Sequence, residues 1–331
     1  MLKPRYCSIN WRGFLVTCVS CALLFSPVRQ LNASQAVIGY TKTLLSDAQL
    51  VLDSRRAKDC QKASLKGARC LPVSDVLGPG KVLANFSGLL WLLGTAGLTG
   101  SEHVAIIGDK LHEQEFWAGV LFLAGQRKIS ILTTPVSSLA QNRLAPGTAR
   151  SKSREKVYQS TMRADQIILR SDLLKIVRSH NAPVIIDGRT ENEYWGNEVK
   201  AMRGGHVPGA QLLPLGRVRL TSDKSPLLHI SKGDQVISYS RNTYDSLIYL
   251  AVLRARGIPA KIYLEGWQGW ASDGALPADN VSYRNRRAPL NVGDKTKQPA
   301  VQFSRYFFII STLAGLFIFT VGYFTRRAIK G

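Results

Sequence analysis

The chain has 331 residues, a length that suits about two domains with additional segments. Its apolar share of 45% is that of ordinary globular sequence, so sizeable cores can be buried and a wholly unstructured chain is excluded. The net charge of +22 favours anionic partners: nucleic acid, anionic lipid, a cell-wall polymer or an acidic protein. No single basic stripe stands out, so a merely soluble basic surface is the alternative, and nothing beyond overall charge points to nucleic acid.

The first segment, "MLKPRYCSINWRGFLVTCVSCALLFSPVRQLNASQA", places Lys3, Arg5 and Arg12 ahead of an apolar run from Gly13 to Phe25. That run of about 13 residues is too short to span a bilayer comfortably. Small residues at Ser34 and Ala36 suit a signal peptidase, so residues 1–36 read as a secretory signal peptide, with an uncleaved anchor as the alternative. Cys18 and Cys21 lack the small-residue box that a lipoprotein would need.

Residues 37–150 and 151–285 read as two domains, because the chain between its ends says the same thing twice. "LVLDSRRAKD" parallels "VIIDGRTENEY", "KGARCLP" parallels "PGAQLLP", and "HVAIIGD" parallels "QVISYSR". Asp53 and Asp187 lie 134 residues apart, while Gly125 and Gly257, and Leu132 and Leu264, lie 132 apart. Each copy alternates strand and helix, beginning and ending on a strand. The strands are short and continuously apolar, as in a parallel sheet covered on both faces. This predicts an α/β fold with one open, doubly wound sheet per copy, whose site lies at the carboxyl ends of the strands. A helix from Ser246 to Arg256 ends at Gly257, a natural left-handed stop.

Of five cysteines, only Cys60 and Cys70 lie beyond the signal segment, ten residues apart. In an oxidising compartment they suggest one disulfide, worth roughly 2–3 kcal/mol by loop closure. Two free thiols are the alternative. No histidine or further cysteine lies nearby, so no metal site is expected, and no cofactor is implied.

After the second copy, residues 286–304 form a basic, proline-containing linker that suits anionic headgroups or a solvated spacer. An uncharged run of 20 residues from Tyr306 to Thr325 matches a hydrocarbon core of about 30 Å. Aromatics sit at both of its ends, and Arg326, Arg327 and Lys330 follow. Residues 305–326 therefore read as a transmembrane helix and 327–331 as a cytoplasmic tail. The protein is expected in a cell inner membrane as a single-pass chain with its domains in the periplasm.

The second copy resembles the rhodanese family of sulfurtransferases, in its tandem form. The resemblance rests on "VIIDGRTENEYWG" and "GGHVPGAQLLP", which put Asp187, Arg189, Glu193, Tyr194, Gly205, His206, Pro208, Gly209 and Ala210 in register. The closing pattern "YLEGWQGWASDGALP" also fits, and the first copy keeps "VLDSR", "GARCLP" and "LLGTAGLTGSEHVAIIGD". The resemblance covers roughly residues 45–285. It implies a cysteine at the end of the fourth strand, opening a six-residue loop whose N–H groups wrap a persulfide sulfur. Here that position is Ser240, followed by Arg241, Asn242, Thr243, Tyr244 and Asp245 as the binding loop. Thr243 stands at the family's glycine and Asp245 at its later arginine. In the first copy Gly108 or Asp109 occupies the equivalent place.

A serine hydroxyl cannot store sulfane sulfur, and it needs an adjacent base to act as an ordinary nucleophile. Asp245 adds negative charge where an anionic donor would dock, and Arg241 remains to offset it. His206, in its tight turn, reads as structural, and Trp195, Trp267 and Trp270 read as packing. The resulting expectation is an exported, membrane-anchored rhodanese-like protein without sulfurtransferase activity, serving as a binding or assembly module with a protein partner in an envelope complex. The alternatives are an active thiosulfate sulfurtransferase and a Ser240-dependent hydrolase or phosphatase-like enzyme.

Overall fold

A computed structural model describes residues 37–43, 47–79, 82–179, 183–220 and 235–279. The expected signal peptide (1–36), linker (286–304), transmembrane helix (305–326) and tail (327–331) lie outside the described residues. Among the described residues no helix is long and apolar enough to cross a membrane.

The first half supplies strands β1 (Val37–Thr41), β2 (Leu50–Asp53), β3 (Ser64–Leu65), β4 (Arg69–Cys70), β5 (His103–Ile107), β6 (Lys128–Leu132), β7 (Leu144–Ala145) and β8 (Thr148–Ala149). Its helices are α1 (Ala57–Lys62), α2 (Phe86–Thr95) and α3 (Leu111–Leu123). The second half supplies β9 (Ile167–Ile168), β10 (Val184–Asp187), β11 (Gln211–Leu212), β12 (Val236–Tyr239) and β13 (Ala260–Tyr263). Its helices are α4 (Arg170–Arg178), α5 (Glu191–Tyr194), α6 (Leu215–Leu220), α7 (Thr243–Ala255) and α8 (Gly266–Ala271).

Two parallel sheets result. One runs β1-β6-β5-β2-β4-β8, and the other, read from its far edge, runs β9-β13-β12-β10-β11. The strand order is therefore the same over five positions, and every pairing within these sheets is parallel. Strands β5 and β12 are buried at every residue, which explains their unbroken apolar runs: helices cover both faces. Chain reversals at Gly125 and Gly257 use φ of 100° and 73°, where a side chain would be strained.

The structure adds a leading edge strand to each copy, β1 and β9, that the alternating pattern in the sequence did not contain. Two to five residues are too few to show a period. β1 exists because all five of its residues pair in register with β6, Val37 opposite Lys128 through Thr41 opposite Leu132. The changeover between sheets also falls later than residue 150. Ser151, Gln159 and Arg163 donate their backbone N–H groups to Thr95, Thr99 and Leu123 of the first half, and the chain joins the second sheet only at β9.

The two sheets meet where α3 packs against α7. A single core runs through this contact, joining Phe116, Trp117 and Leu121 to Leu247, Ile248, Leu250 and Ala251. Phe116 and Tyr244 stack with ring centroids 4.9 Å apart. The helices approach so closely that a Cβ on Gly119 would overlap the Leu247 carbonyl oxygen and lie 3.0 Å from its carbon. Glycine is required there by proximity.

Candidate strand-end site

Ser240 follows the last residue of β12, at the carboxyl edge of the second sheet, and is 5% exposed. Its backbone is fixed from two sides. Its N–H donates to Ser246 Oγ at 3.0 Å, and its carbonyl accepts from the Trp267 N–H at 2.8 Å. The Arg241 carbonyl accepts from the Gln268 N–H at 2.8 Å. Gly266, at φ 63°, sits against this turn so tightly that a Cβ there would come within 2.6 Å of the Ser240 carbonyl oxygen.

The six residues that the resemblance implies as a binding loop divide between a short turn and the first turn of a helix. Helix α7 begins at Thr243, three residues earlier than the apolar pattern suggested, so Thr243, Tyr244 and Asp245 make its first turn. The cause is local. Asn242 Oδ1 accepts from the Asp245 N–H at 3.0 Å, and the Asn242 carbonyl accepts from the Ser246 N–H at 2.8 Å. Asparagine is among the best residues for this capping role. Only Ser240, Arg241 and Asn242 lie between strand and helix.

The charges around this turn are committed to one another. Arg241 donates from Nε to Glu193 Oε1 at 2.6 Å, from Nη2 to Glu193 Oε2 at 2.8 Å, and from Nη1 to Asp245 Oδ2 at 2.9 Å. One guanidinium thus faces two carboxylates. Hydrogen bonding to Glu193 leads the effects that hold the Arg241 guanidinium above its ordinary value, against burial. Burial pushes the Glu193 carboxyl up, but its bonds to Arg241 and that residue's charge outweigh it and keep the group below the usual carboxylate range. Glu193 is set in place by Thr190, which caps α5 by accepting from the Glu193 N–H and donates its own hydroxyl to Glu193 Oε2 at 3.1 Å. Nothing in the sequence pairs Glu193 with Arg241, 48 residues further on. The Thr-x-x-Glu spacing is a capping-box signal, and it places Glu193 at a helix start without saying what lies above it.

Ser240 Oγ has no hydrogen-bond partner among the described residues, so no base is in contact with it. Arg189, by contrast, is structural. It is 3% exposed, binds Asp187 through Nη2 at 2.6 Å, donates to the Gly205 carbonyl at 2.7 Å, and lies over the Trp267 ring at 4.8 Å. His206 Nδ1 meets the Tyr194 carbonyl at 2.9 Å, and its ring stacks on Tyr194 with centroids 3.6 Å apart. Burial holds its imidazole below the ordinary histidine value. Trp267 and Trp270 are buried and donate their indole N–H groups to the carbonyls of Arg203 and Pro277; Trp195 is also buried.

In the first sheet the register identifies the equivalent position. Ser54 N–H donates to the Ile107 carbonyl as Gly188 N–H donates to that of Tyr239, so Gly108 corresponds to Ser240 and Asp109 to Arg241. Gly108 carries no nucleophile, and a Cβ there would overlap Ser54 Oγ. Arg55 repeats the role of Arg189: it binds Asp53 at 2.6 Å and approaches Asp109 at 3.6 Å. Cys60 and Cys70 are joined in a disulfide, with Cα atoms 5.7 Å apart, and tie α1 to β4. Both are buried, away from the Gly108 turn on a different strand. Among the described residues no group of side chains could hold a metal ion.

Strand order, paired Asp–Arg corners and a helix after each central strand define an α/β protein with two parallel sheets built to one plan. Residues 170–273 match the family profile of the rhodanese-like domain. No curated protein matches the chain by sequence. Among solved structures, one described as a probable thiosulfate sulfurtransferase is 24% identical, covers 72% of this chain and 99% of its own, and superposes with a TM-score of 0.53. The 3-mercaptopyruvate sulfotransferase SseA from Escherichia coli is 18% identical, with 66% of this chain and 92% of that one covered at a TM-score of 0.51. YnjE is 15% identical over 75% of this chain and 63% of its own, with a TM-score of 0.55. These likenesses show a shared fold, with residues 170–273 rhodanese-like.

Proposed function

We propose that this chain is an exported, membrane-anchored protein with two tandem rhodanese-like modules that does not transfer sulfur and acts as a binding or assembly module of an envelope complex. One observation carries the reading. Where persulfide chemistry needs a thiolate inside an anion cradle, Ser240 stands with Arg241 locked between Glu193 and Asp245. Sulfur transfer from thiosulfate forms a sulfur–sulfur bond to a thiolate, releases sulfite, and then passes the outer sulfur to an acceptor. A hydroxyl oxygen cannot take the place of that thiolate. The local charge is one positive against two negative, so an anionic donor meets repulsion at the turn. A Ser240-dependent hydrolase is disfavoured because no base among the described residues contacts the hydroxyl.

The membrane part of the reading rests on the terminal segments. The apolar run Tyr306–Thr325 and the basic residues after it support a single span with the modules on the periplasmic side of an inner membrane. The basic linker 286–304 then lies where anionic headgroups attract it.

The test is thiocyanate formation from thiosulfate and cyanide by the full chain in detergent. The expected rate equals that of a Ser240→Ala variant. Ser240→Cys alone is expected to stay weak, because Thr243 already begins the helix and Asp245 still faces the donor. The triple variant with Thr243→Gly and Asp245→Arg is expected to gain measurable turnover. Turnover by the unaltered protein that disappears in Ser240→Ala would overturn the inactive reading in favour of an active sulfurtransferase.

A further inference from the structure

Helix α2 reads FSGLLWLLGT and carries no charged side chain. One side of it is ordinary core, with Leu89, Leu92 and Leu93 buried in the first half. The other side faces outward. Ser87, Gly88 and Trp91 are exposed there, and Leu90 is half-buried. Trp91 is 44% exposed, and its indole N–H has no partner among the described residues. A single exposed apolar residue is normal on a protein surface. A surface helix whose outer side lacks any charge is not, since such helices set charged and polar residues opposite their core stripe. From Val76 to Ser101 the sequence contains no carboxylate at all.

Cations flank this face. The segment from Arg150 to Lys156 is laid along the end of α2 by its backbone. Ser151 N–H donates to the Thr95 carbonyl at 3.0 Å, and the N–H groups of Glu155 and Lys156 donate to the Gly94 carbonyl at 3.1 and 3.2 Å. A Cβ on Gly94 would overlap the Lys156 carbonyl oxygen and touch Arg154 Cγ and Cδ at 3.4 Å. Gly94 follows Trp91 by three residues, so the two are neighbours on the helix surface and the Arg154 stem passes within one turn of Trp91. Arg150 is paired with Asp75, and Glu155 with Arg69. Lys152, Arg154 and Lys156 are exposed and have no anionic partner among the described residues. A surplus of positive charge therefore borders an uncharged, apolar helix face.

We infer that the outer face of α2, together with Lys152, Arg154 and Lys156, is a docking surface for an anionic lipid bilayer, with Trp91 entering the headgroup layer and the cations lying over lipid phosphates. Charge complementarity decides the occupant. An anionic surface neutralises the surplus, and indole suits the headgroup level, being apolar in body with one N–H for water and headgroup oxygens. The contact is small, and one ring with a few cations would not hold a free protein on a membrane. On a tethered chain the same contact is intramolecular, at an effective concentration on the order of millimolar, where a weak site is occupied. The inference thus rests on the membrane-anchored reading.

The test reconstitutes the full chain into vesicles whose acyl chains carry bromine, a short-range quencher of indole emission, with unbrominated vesicles as reference. One set is phosphatidylcholine, and the other contains about one third phosphatidylglycerol. Flotation with the vesicles reads the anchor. The difference in emission between the unaltered protein and Trp91→Phe reads the α2 face, because Trp11 and the buried Trp117, Trp195, Trp267 and Trp270 are common to both. In anionic vesicles the Trp91 emission is expected to fall by at least about half. It is expected to recover in phosphatidylcholine, and at about 1 M salt, where the screening length is about 3 Å. The combined variant Lys152→Gln, Arg154→Gln and Lys156→Gln changes only exposed side chains, so it is expected to keep its thermal unfolding and lose the quenching. The inference is overturned, with the anchored reading left standing, if the chain floats and Trp91 is not quenched in anionic vesicles, which gives the face to a protein partner instead. Equal quenching in phosphatidylcholine, or in the folded glutamine variant, overturns it as well. A chain that does not float overturns the anchored reading and this inference with it.

Discussion

Replacing Gly119 by alanine tests whether the two sheets are locked together where α3 crosses α7. The new methyl group would overlap the Leu247 carbonyl oxygen and crowd its carbon at 3.0 Å and its Cβ at 3.2 Å. The obstructing oxygen belongs to helical backbone, so no rotamer change relieves the clash; one helix must move. Overpacking of a tight core costs about 1–3 kcal/mol, and a backbone obstacle places this case near about 3 kcal/mol. Alanine returns about 1 kcal/mol through its better helix propensity. The net loss is about 2 kcal/mol, which for a body of this size lowers the melting temperature by roughly 4–8 °C. Gly39→Ala is the control. No described atom lies within 4 Å of a Cβ there, and alanine in a strand interior is favoured over glycine by about 0.5–1 kcal/mol. The same substitution should therefore act in opposite directions at the two positions. Thermal unfolding of both variants, followed by circular dichroism on the full chain in detergent, checks this. A Gly119→Ala midpoint within about 1 °C of the parent would refute the close crossing, since even the low end of the expected loss exceeds it.

The Cys60–Cys70 disulfide closes a short loop and is expected to contribute about 2–3 kcal/mol; the double serine variant should melt roughly 4–12 °C lower. Unreduced peptide mass analysis should show the cross-link, and two alkylatable thiols in freshly isolated protein would sink the expectation. Stability should also fall on acidification below the ordinary Glu value of 4.5, because the Glu193 carboxyl is held below that value in the fold. The sign follows from linkage: the unfolded chain binds the proton first, so the contribution is complete above 4.5 and disappears as pH drops through the lower folded value. Glu193→Gln should flatten that part of the stability profile, and an unchanged acid slope would count against the Arg241 pairing.

Part of each half was legible because its signals are local. The glycines at 125 and 257 act within one turn of chain, where φ preference operates. The repeat was legible because two copies of a buried parallel strand need the same unbroken apolar run. The exact start of α7 was misread for the same reason that it was partly readable. The apolar pattern marks the buried face from Ser246 onward, whereas the cap at Asn242 marks the true beginning. The first-sheet counterpart of Ser240 stayed ambiguous between two neighbours until the strand-end hydrogen bonds supplied a register.

By itself, the chain's order of residues determined the alternation of strands and helices, the serine at the end of the central strand, and the pairable spacing of Cys60 and Cys70. These depend on side-chain type and short separations. Only the tertiary structure decided that Arg241 is held by Glu193, 48 residues away, that β1 closes one edge of the first sheet against β6, and that Glu115 and Arg219, 104 residues apart, meet at a seam beside Gly119. Such pairings follow from which strand ends and helix faces are brought together by burial. Local propensity carries no information about that, because side-chain type does not specify a partner beyond one turn of helix or one hairpin.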